Sequence, residues 1–469
     1  MTITNKSIGG IVDALNGVTA DVYATGEEAR GLSEAAKVIS PATLGNVLET
    51  MGLMSAYGVR WDTSASSPAM VKGVVAAGVF VPFDYQEFPV QQAMKRCILN
   101  SSTVFQYFLH PEDANYKENG DAANIDGTDG QVMVQTKRFE FIDEVDGDYR
   151  YLLIGFNPFY LTKSDESQVF SVNHPWFLGG GDLSDYKYFS AFEGVLYDDT
   201  AGSYVDGTGS SLYAAGDKIH SVYGYIPMTY INRTELRTAC AVDGSYYQNC
   251  YWADHAMILL YLTEYANWYS QSATYGIPGY TEGGAWDLAK RCKTGITATL
   301  GNVSGSVTYG DALSALRCSN DFSGTPDIII ANSFRGIENF YGHLWKWLDG
   351  INVEFVGDPL TDANVYVCNN PANFADDTDT NYDDMGIDLP LTSGYQSALH
   401  ADTFLPSSVS GGGSDTFITD YSYASSSAGW RALLSGGGLD AGAMAGVAYR
   451  AASAAASDRY GAVGGRSAA

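Results

Sequence analysis

The side chains able to do chemistry in this chain are 54 carboxylates, six histidines and six cysteines, and their spacing decides which chemistry is open. One acidic stretch has ligand spacing. Asp377, Asp379, Asn381, Asp383 and Asp388 fall at the first, third, fifth, seventh and twelfth places of a calcium loop, where oxygen donors converge on a hard cation. Tyr382 stands where such a loop needs glycine for its sharp turn, and Asp388 stands where it has a bidentate glutamate. A solvated acidic loop is the competing reading, and calcium is the only cofactor the residues suggest.

The other reactive types form no such pattern. His110, His174, His220, His255, His343 and His400 are scattered, with none repeated one helical turn away, so structural roles are expected. Cys97, Cys240, Cys250, Cys292, Cys318 and Cys368 contain no Cys-x-x-Cys pair, which signals neither a zinc ribbon nor a thioredoxin-type site. Cys240 and Cys250 are close enough to bridge a short loop, but free, mostly buried thiols are the expected state. No P-loop, paired-histidine zinc helix or nucleophile elbow occurs. Carboxylates are so numerous that some pair has glycosidase spacing by chance, and none can be singled out. The densest aromatic run, residues 335–350, sets four rings beside Arg335 and Lys346. It is either a stacking groove or, as the favoured reading, a core in which Glu338 pairs with Arg335.

These residues must be held by a sizeable fold. The chain has 469 residues, 13% aromatic and only 17% charged, a composition that buries a core rather than remaining disordered. Its length corresponds to about three domains. The balance of 26 basic against 54 acidic residues gives −28, which repels phosphate backbones and anionic lipid, so nucleic acid is excluded as a partner. The 33 tyrosines suit wet recognition surfaces, and the 52 glycines imply many turns. The N-terminus has no apolar signal core, and the most apolar run, residues 256–262, is too short to span a bilayer. Synthesis as a soluble cytoplasmic chain is expected.

Periodicity predicts the elements. Residues 1–60 read as a separate segment, with a short amphipathic helix from Pro41 to about Met54 that has too little to bury alone. Residues 73–81 read as one strand stopped by Pro82, and 131–139 as a half-buried strand. The clearest helix covers 252–269, a second covers 284–292, and short strands fall at 303–306, 327–331 and 352–356. Few helices among many strands and loops predict an α+β fold. The tail from Arg431 to Ala469 is rich in Ala and Gly, yet carries Asp440, Tyr449, Asp458, Tyr460 and Arg466.

Several stretches in the right order resemble the retroelement-diversified C-type-lectin-fold receptor-binding proteins of phage tails, the family of the major tropism determinant. They are Tyr57-Gly58-Val59-Arg60-Trp61-Asp62-Thr63-Ser64 with Ser67-Pro68-Ala69, then Arg96-Cys97-Ile98-Leu99-Asn100, then Asp129-Gly130-Gln131-Val132-Met133-Val134. The run 338–350, the segment 430–437, the segment 445–450 and Val463-Gly464-Gly465-Arg466 complete the match, which covers residues 57–469. The family randomises asparagine codons. Aligned on the flanking glycines, the variable positions would be Gly438, Asp440, Ala441, Ala451, Ser453, Ala454, Asp458, Tyr460 and Ala462. Each residue found there is reachable from an asparagine codon by changing its first two bases. Between Ser435 and Val463 there is no Lys, Glu, Gln or Trp, which such changes cannot make; Met444 is outside the reachable set.

The resemblance implies a loop-rich, formylglycine-generating-enzyme-like C-terminal domain at 231–469 with a variable segment 431–469. A β-rich intermediate domain would occupy 61–230, and residues 1–60 would attach to the virion and oligomerise. The implied protein is a homotrimeric virion component, in the tail or tail fibre, that binds a host cell-surface receptor (protein or glycan) and contacts other virion proteins. A structural decoration or fibre protein of the virion without host binding is the alternative. Formylglycine-generating oxidases share the fold class but need cysteines near the C-terminus, and none follows Cys368. No enzyme is expected.

Overall fold

Short strands, mostly paired antiparallel, build most of the described residues, in keeping with the chain's glycine and β-branched content. A computed structural model describes residues 54–84, 86–207, 212–270, 291–308, 330–439 and 441–469. The fold is mostly β-sheet with a few helices. Three large sheets carry it.

The first sheet has six strands, ordered Val172–Asn173, Glu140–Asp146, Tyr149–Gly155, Met54–Asp62, Val71–Ala76 and Val79–Pro82. The expected single strand at 73–81 is instead a hairpin, because Ala77 and Gly78 both take positive φ and reverse the chain. Pro82 then ends the second arm opposite Gly73. The expected boundary at residue 60 falls inside the strand Met54–Asp62, which pairs on both sides, so no domain divides there. The expected helix from Pro41 lies outside the described residues, except that Met54 opens this strand.

The second sheet has seven strands, ordered Tyr247–Gln248, Ser467–Ala468, Tyr186–Ser190, Gln131–Lys137, Lys95–Leu99, Phe105–His110 and Asp113–Lys117. Gln131–Lys137 lies between two partners and is buried on both faces along most of its length, not half-buried as its partial alternation predicts. The last strand of the chain is inserted beside Tyr186–Ser190. Residues on either side of position 230 therefore share one sheet, and the largest apolar cluster runs from Tyr57 to Ala448. The expected division at 230/231 is not a structural one.

The third sheet carries the C-terminal segment. Its order is Asp383–Asp388, Leu360–Val367, Trp345–Gly357, Gly429–Ser435, Arg450–Ala454, Tyr421–Ala424 and Gly394–Tyr395, with Val463–Gly464 added in parallel to Trp345–Gly357. The helix Tyr251–Tyr265 contacts strands of both the first and third sheets, so every residue except Trp252 and Tyr265 is buried. A helix apolar all round belongs in such a place. It ends where Ala266 turns left-handed, four residues short of the expected end at 269.

A second helix, Arg233–Cys240, starts with a capping box in which Asn232 and Glu235 satisfy each other's backbone N–H groups. The Asn232-x-x-Glu235 spacing signals it in the sequence. Strand Gly305–Thr308 replaces the expected 303–306, Ile330–Phe334 contains the end of the expected 327–331, of which 327–329 lie outside the described residues, and the expected 352–356 is part of Trp345–Gly357. Of the expected helix at 284–292, all but Arg291 and Cys292 lies outside the described residues. No helix among the described residues is long and apolar enough to cross a membrane.

Candidate binding surface

The C-terminal segment is positioned by buried polar contacts before any of it reaches solvent. Arg450 opens the strand Arg450–Ala454 and forms an ion pair at 2.9 Å with Asp254 of the long helix. Ser435, opposite Arg450 in the ladder, also donates to Asp254. Gln396 donates to the carbonyls of Ala448 at 2.7 Å and Tyr421 at 3.1 Å. The Ala448 N–H donates to Asp420 at 2.7 Å. Burial pushes the Asp420 carboxyl up to about 8, with Ala448, Arg450 and Thr419 offsetting only part of that rise. Gly446 is required beside it, since a Cβ there would sit 1.9 Å from Asp420 Oδ1.

The far end of the chain is anchored in the same way. Arg466 is buried and donates to the carbonyls of Glu338 and Asn339. A Cβ on Gly465 would lie 2.3 Å from Leu236 Cδ2, so any larger residue there must displace that side chain. Val463-Gly464-Gly465-Arg466 is thus a structural clamp.

Across the sheet, Tyr423 pairs in parallel with Ala451, and Tyr421 lies two residues before it on the same face of its strand. Their rings join an aromatic ladder. Trp345 and Tyr449 are 4.4 Å apart, Tyr449 and Tyr423 6.1 Å, Tyr423 and Tyr421 4.9 Å, and Tyr421 and Tyr395 5.2 Å. Tyr449 is 1% exposed, Tyr423 is the most open ring at 36%, and Tyr421 and Tyr395 are half-buried. The ladder makes an outward aromatic ledge at Tyr423, and Ser453, at a bulge in its own strand, is exposed.

The nine expected variable positions do not form one patch. Ser453 and Tyr460 are exposed and Asp458 half-exposed, with the Tyr460 hydroxyl donating to Asp458 at 2.9 Å. Gly438, Ala441, Ala451, Ala454 and Ala462 are buried, and the four alanines pack in one cluster with Trp345, Leu434 and Tyr449. Asp440 lies outside the described residues. The expectation of an outward patch built from these nine side chains is corrected by their size: an alanine beneath an aromatic ring has no surface left to show. Tyr395, Tyr421 and Tyr423, which do reach solvent, are outside the expected set. Their signal is the period-two Tyr-Ser-Tyr at 421–423.

The acidic stretch does not close into a cation loop. Asp383 and Asp388 are the two ends of one extended strand, which at roughly 3.3 Å per residue sets them too far apart for one ion. Asp388 Oδ1 instead accepts from the Ala363 N–H. Among the described residues no three His, Cys, Asp or Glu side chains are placed to hold a metal ion, and Asp377, Asp379, Asn381, Asp383 and Asp388 do not converge. Asp376, outside that set, carries the local structure. It accepts from Arg233 and Arg237, both at 2.6 Å, and although burial raises its carboxyl, these cations hold it at about 2.

The aromatic run 335–350 is core, as favoured, but its ion pair is different. Arg335 donates in a fork to Glu264 at 2.8 and 2.9 Å, whereas Glu338 accepts the N–H groups of Gly295 and Thr297. His343 is not an isolated structural side chain. Its Nδ1 bonds Glu193, its Nε2 lies 3.3 Å from Cys292 Sγ, and Lys346 sits 3.5 Å from the same glutamate. This has the connectivity of a nucleophilic triad, yet His343, Glu193 and Cys292 are all buried to within 2%. It braces the core. His174 and His255 likewise pair at 2.9 Å in the interior. Cys97, Cys240, Cys250, Cys292 and Cys368 are free and buried, so Cys240 and Cys250 form no bridge. Compared with protein-family models and with curated proteins, the sequence finds no match.

Proposed function

We propose that this chain is a phage virion receptor-binding protein whose C-type-lectin-like C-terminal region presents the tyrosine ledge to the host surface. The observation that carries the reading is the ladder Trp345–Tyr449–Tyr423–Tyr421–Tyr395, rooted in the core at Tyr449 and most open at Tyr423. Tyrosine on a rigid base gives large amphipathic contact area at low entropy cost. Ser453, Asp458 and Tyr460 would be the positions free to vary, since exposed substitutions cost little stability. The formal charge of −28 favours a neutral or basic host ligand. Trimeric assembly, attachment through residues 1–60 to other virion proteins and several copies per virion would convert modest contacts into avidity.

A structural decoration role is favoured by one observation, the burial of five of the nine expected variable positions. Adsorption of purified protein to host cells separates the two. Tyr421→Ser with Tyr423→Ser is expected to lower adsorption at least tenfold while far-ultraviolet circular dichroism stays unchanged. Unchanged adsorption by that folded variant overturns the receptor-binding reading and leaves decoration.

A further inference from the structure

We propose that the half-open face of the third sheet around Tyr366, Trp430, Glu354 and Asp384 docks an extended, arginine-bearing segment of a partner protein. This face shares no residue with the tyrosine ledge, and its occupant does not depend on the function proposed for that ledge. Strand register builds its floor. Tyr366 pairs with Asn352 and Trp430 with Glu354, so the two rings rise from the strands on either side of Trp345–Gly357. Asn352 and Glu354 are two residues apart, which sets all four side chains on one face of the sheet. The ring centroids nonetheless lie 5.5 Å apart, tilted by 51°, so the rings meet above the strand between them. Both remain partly open to solvent. Asn352 beneath them is buried, and its amide donates to the carbonyls of Ala375 at 3.1 Å and Thr378 at 2.7 Å, which fixes the floor.

Charge selects what lies on that floor. Glu354, opposite Trp430, is half-buried, and among the described residues no hydrogen bond or ion pair reaches its carboxylate. Asp384 is exposed and sits opposite Tyr366 on the next strand. Burial pushes the Tyr366 phenol up, and Glu354, Asp384, Asp379 and Asp388 all add to the rise, so four carboxylates lie within electrostatic reach of one ring. Among the described residues none of the four pairs with a lysine or arginine. Arg431, next to Trp430 in the chain, is spent on Ser425, Ser427 and the Trp430 carbonyl. Aromatic faces are themselves negative and attract cations, so ring and carboxylate select the same sign of charge.

Spacing separates a polypeptide from a single ion. Glu354 and Asp384 stand on strands with Leu360–Val367 between them, two strand spacings or about 10 Å apart. A metal ion needs its oxygen donors within about 2.6 Å, and these carboxylates do not converge. Two cationic side chains three residues apart in an extended chain span about 10 Å and meet both. Arginine fits better than lysine, because its planar guanidinium stacks on a ring and offers a carboxylate a fork of N–H donors at the same time.

Saturation-transfer NMR titrations on the full chain at low salt test this. The probes are an end-capped glycine–serine peptide carrying two arginines three residues apart, its lysine and glutamate counterparts, and spermidine. The arginine peptide is expected to bind, the lysine peptide about threefold more weakly, and the glutamate peptide not at all. Glu354→Gln with Asp384→Asn is expected to weaken arginine-peptide binding about tenfold, and Trp430→Leu about threefold. Glu112→Gln with Asp182→Asn removes the same charge from exposed positions elsewhere and is expected to leave binding within about twofold, which separates docking at this face from general attraction to an acidic protein. The Tyr421→Ser, Tyr423→Ser variant is expected to keep peptide binding, so failure here and failure of the adhesion reading are distinguishable. The proposal is overturned if the arginine peptide does not bind, if the lysine peptide, the glutamate peptide or spermidine binds as tightly, or if the two charge-removing pairs weaken binding equally. Should Trp430→Leu fail to fold, those two pairs, at exposed or partly exposed positions, decide the matter.

Discussion

Replacing Asp420 by asparagine tests whether a buried carboxyl positions the C-terminal segment. The carboxyl accepts the Ala448 N–H and lies against Gly446, and burial raises it from 3.8 to about 8. In the unfolded chain the same group titrates near its ordinary value. Between the two values the folded protein holds a proton the unfolded chain has lost. The contribution to stability is therefore fully present below about 3.8 and disappears as pH rises through about 8. One proton of difference corresponds to about 1.4 kcal/mol per pH unit, so this group alone lowers stability by roughly 2–3 kcal/mol between about pH 5 and 7. The carboxamide of Asp420→Asn keeps an acceptor oxygen but does not titrate. Urea midpoints of the two proteins at those two pH values give the double difference, and hydrogen exchange of the 445–449 amides reports the same opening locally. The expected outcome is a steeper fall with pH for the parent than for Asp420→Asn, by about that amount. Parallel pH profiles would refute the reasoning.

Two further substitutions probe the frame. In Glu193→Gln the buried His343, Lys346 and Arg466 lose their shared counter-charge. Burial raises Glu193, but those three cations hold it at about 2, so its stabilisation is present above the ordinary 4.5 and lost as pH falls through about 2. The variant is expected to be destabilised by about 3–5 kcal/mol in urea unfolding at neutral pH; an unchanged midpoint contradicts the network. Removing residues 461–469 takes away the strand Ser467–Ala468 and the Arg466 clamp. That truncated chain is expected to be insoluble or to lose its unfolding transition, and a soluble product with the parent's midpoint would show that the terminal strand is dispensable. The same geometry makes point substitutions, not deletion of the tail, the proper test of adhesion.

Local pattern carries a good deal. The apolar run around Ile258 and Leu262 specifies a helix, because burial on all sides leaves no polar face to preserve. Turn residues and β-branched runs specify many short strands, and the lack of paired spacing fits the free state of the five cysteines among the described residues, Cys318 lying outside them. The hairpin at 71–82 is obscured, since an alanine at positive φ beside Gly78 has no strong sequence signal.

Composition and spacing are enough to specify a β-rich fold with a buried helix, an acidic surface and the absence of a chemical motif in one stretch of chain. Which side chains meet and which show is set by the packing of distant segments. His343 meets Glu193 across 150 residues, and Arg466 reaches Glu338 across 128, through the order of strands in sheets rather than any local period. The alanines of the C-terminal segment are hidden, Tyr421 half-buried and Tyr423 exposed, because pairing with neighbouring strands lays aromatic rings over methyl groups. Periodicity assigns a residue to a face of its own strand; what covers that face is contributed from elsewhere in the chain.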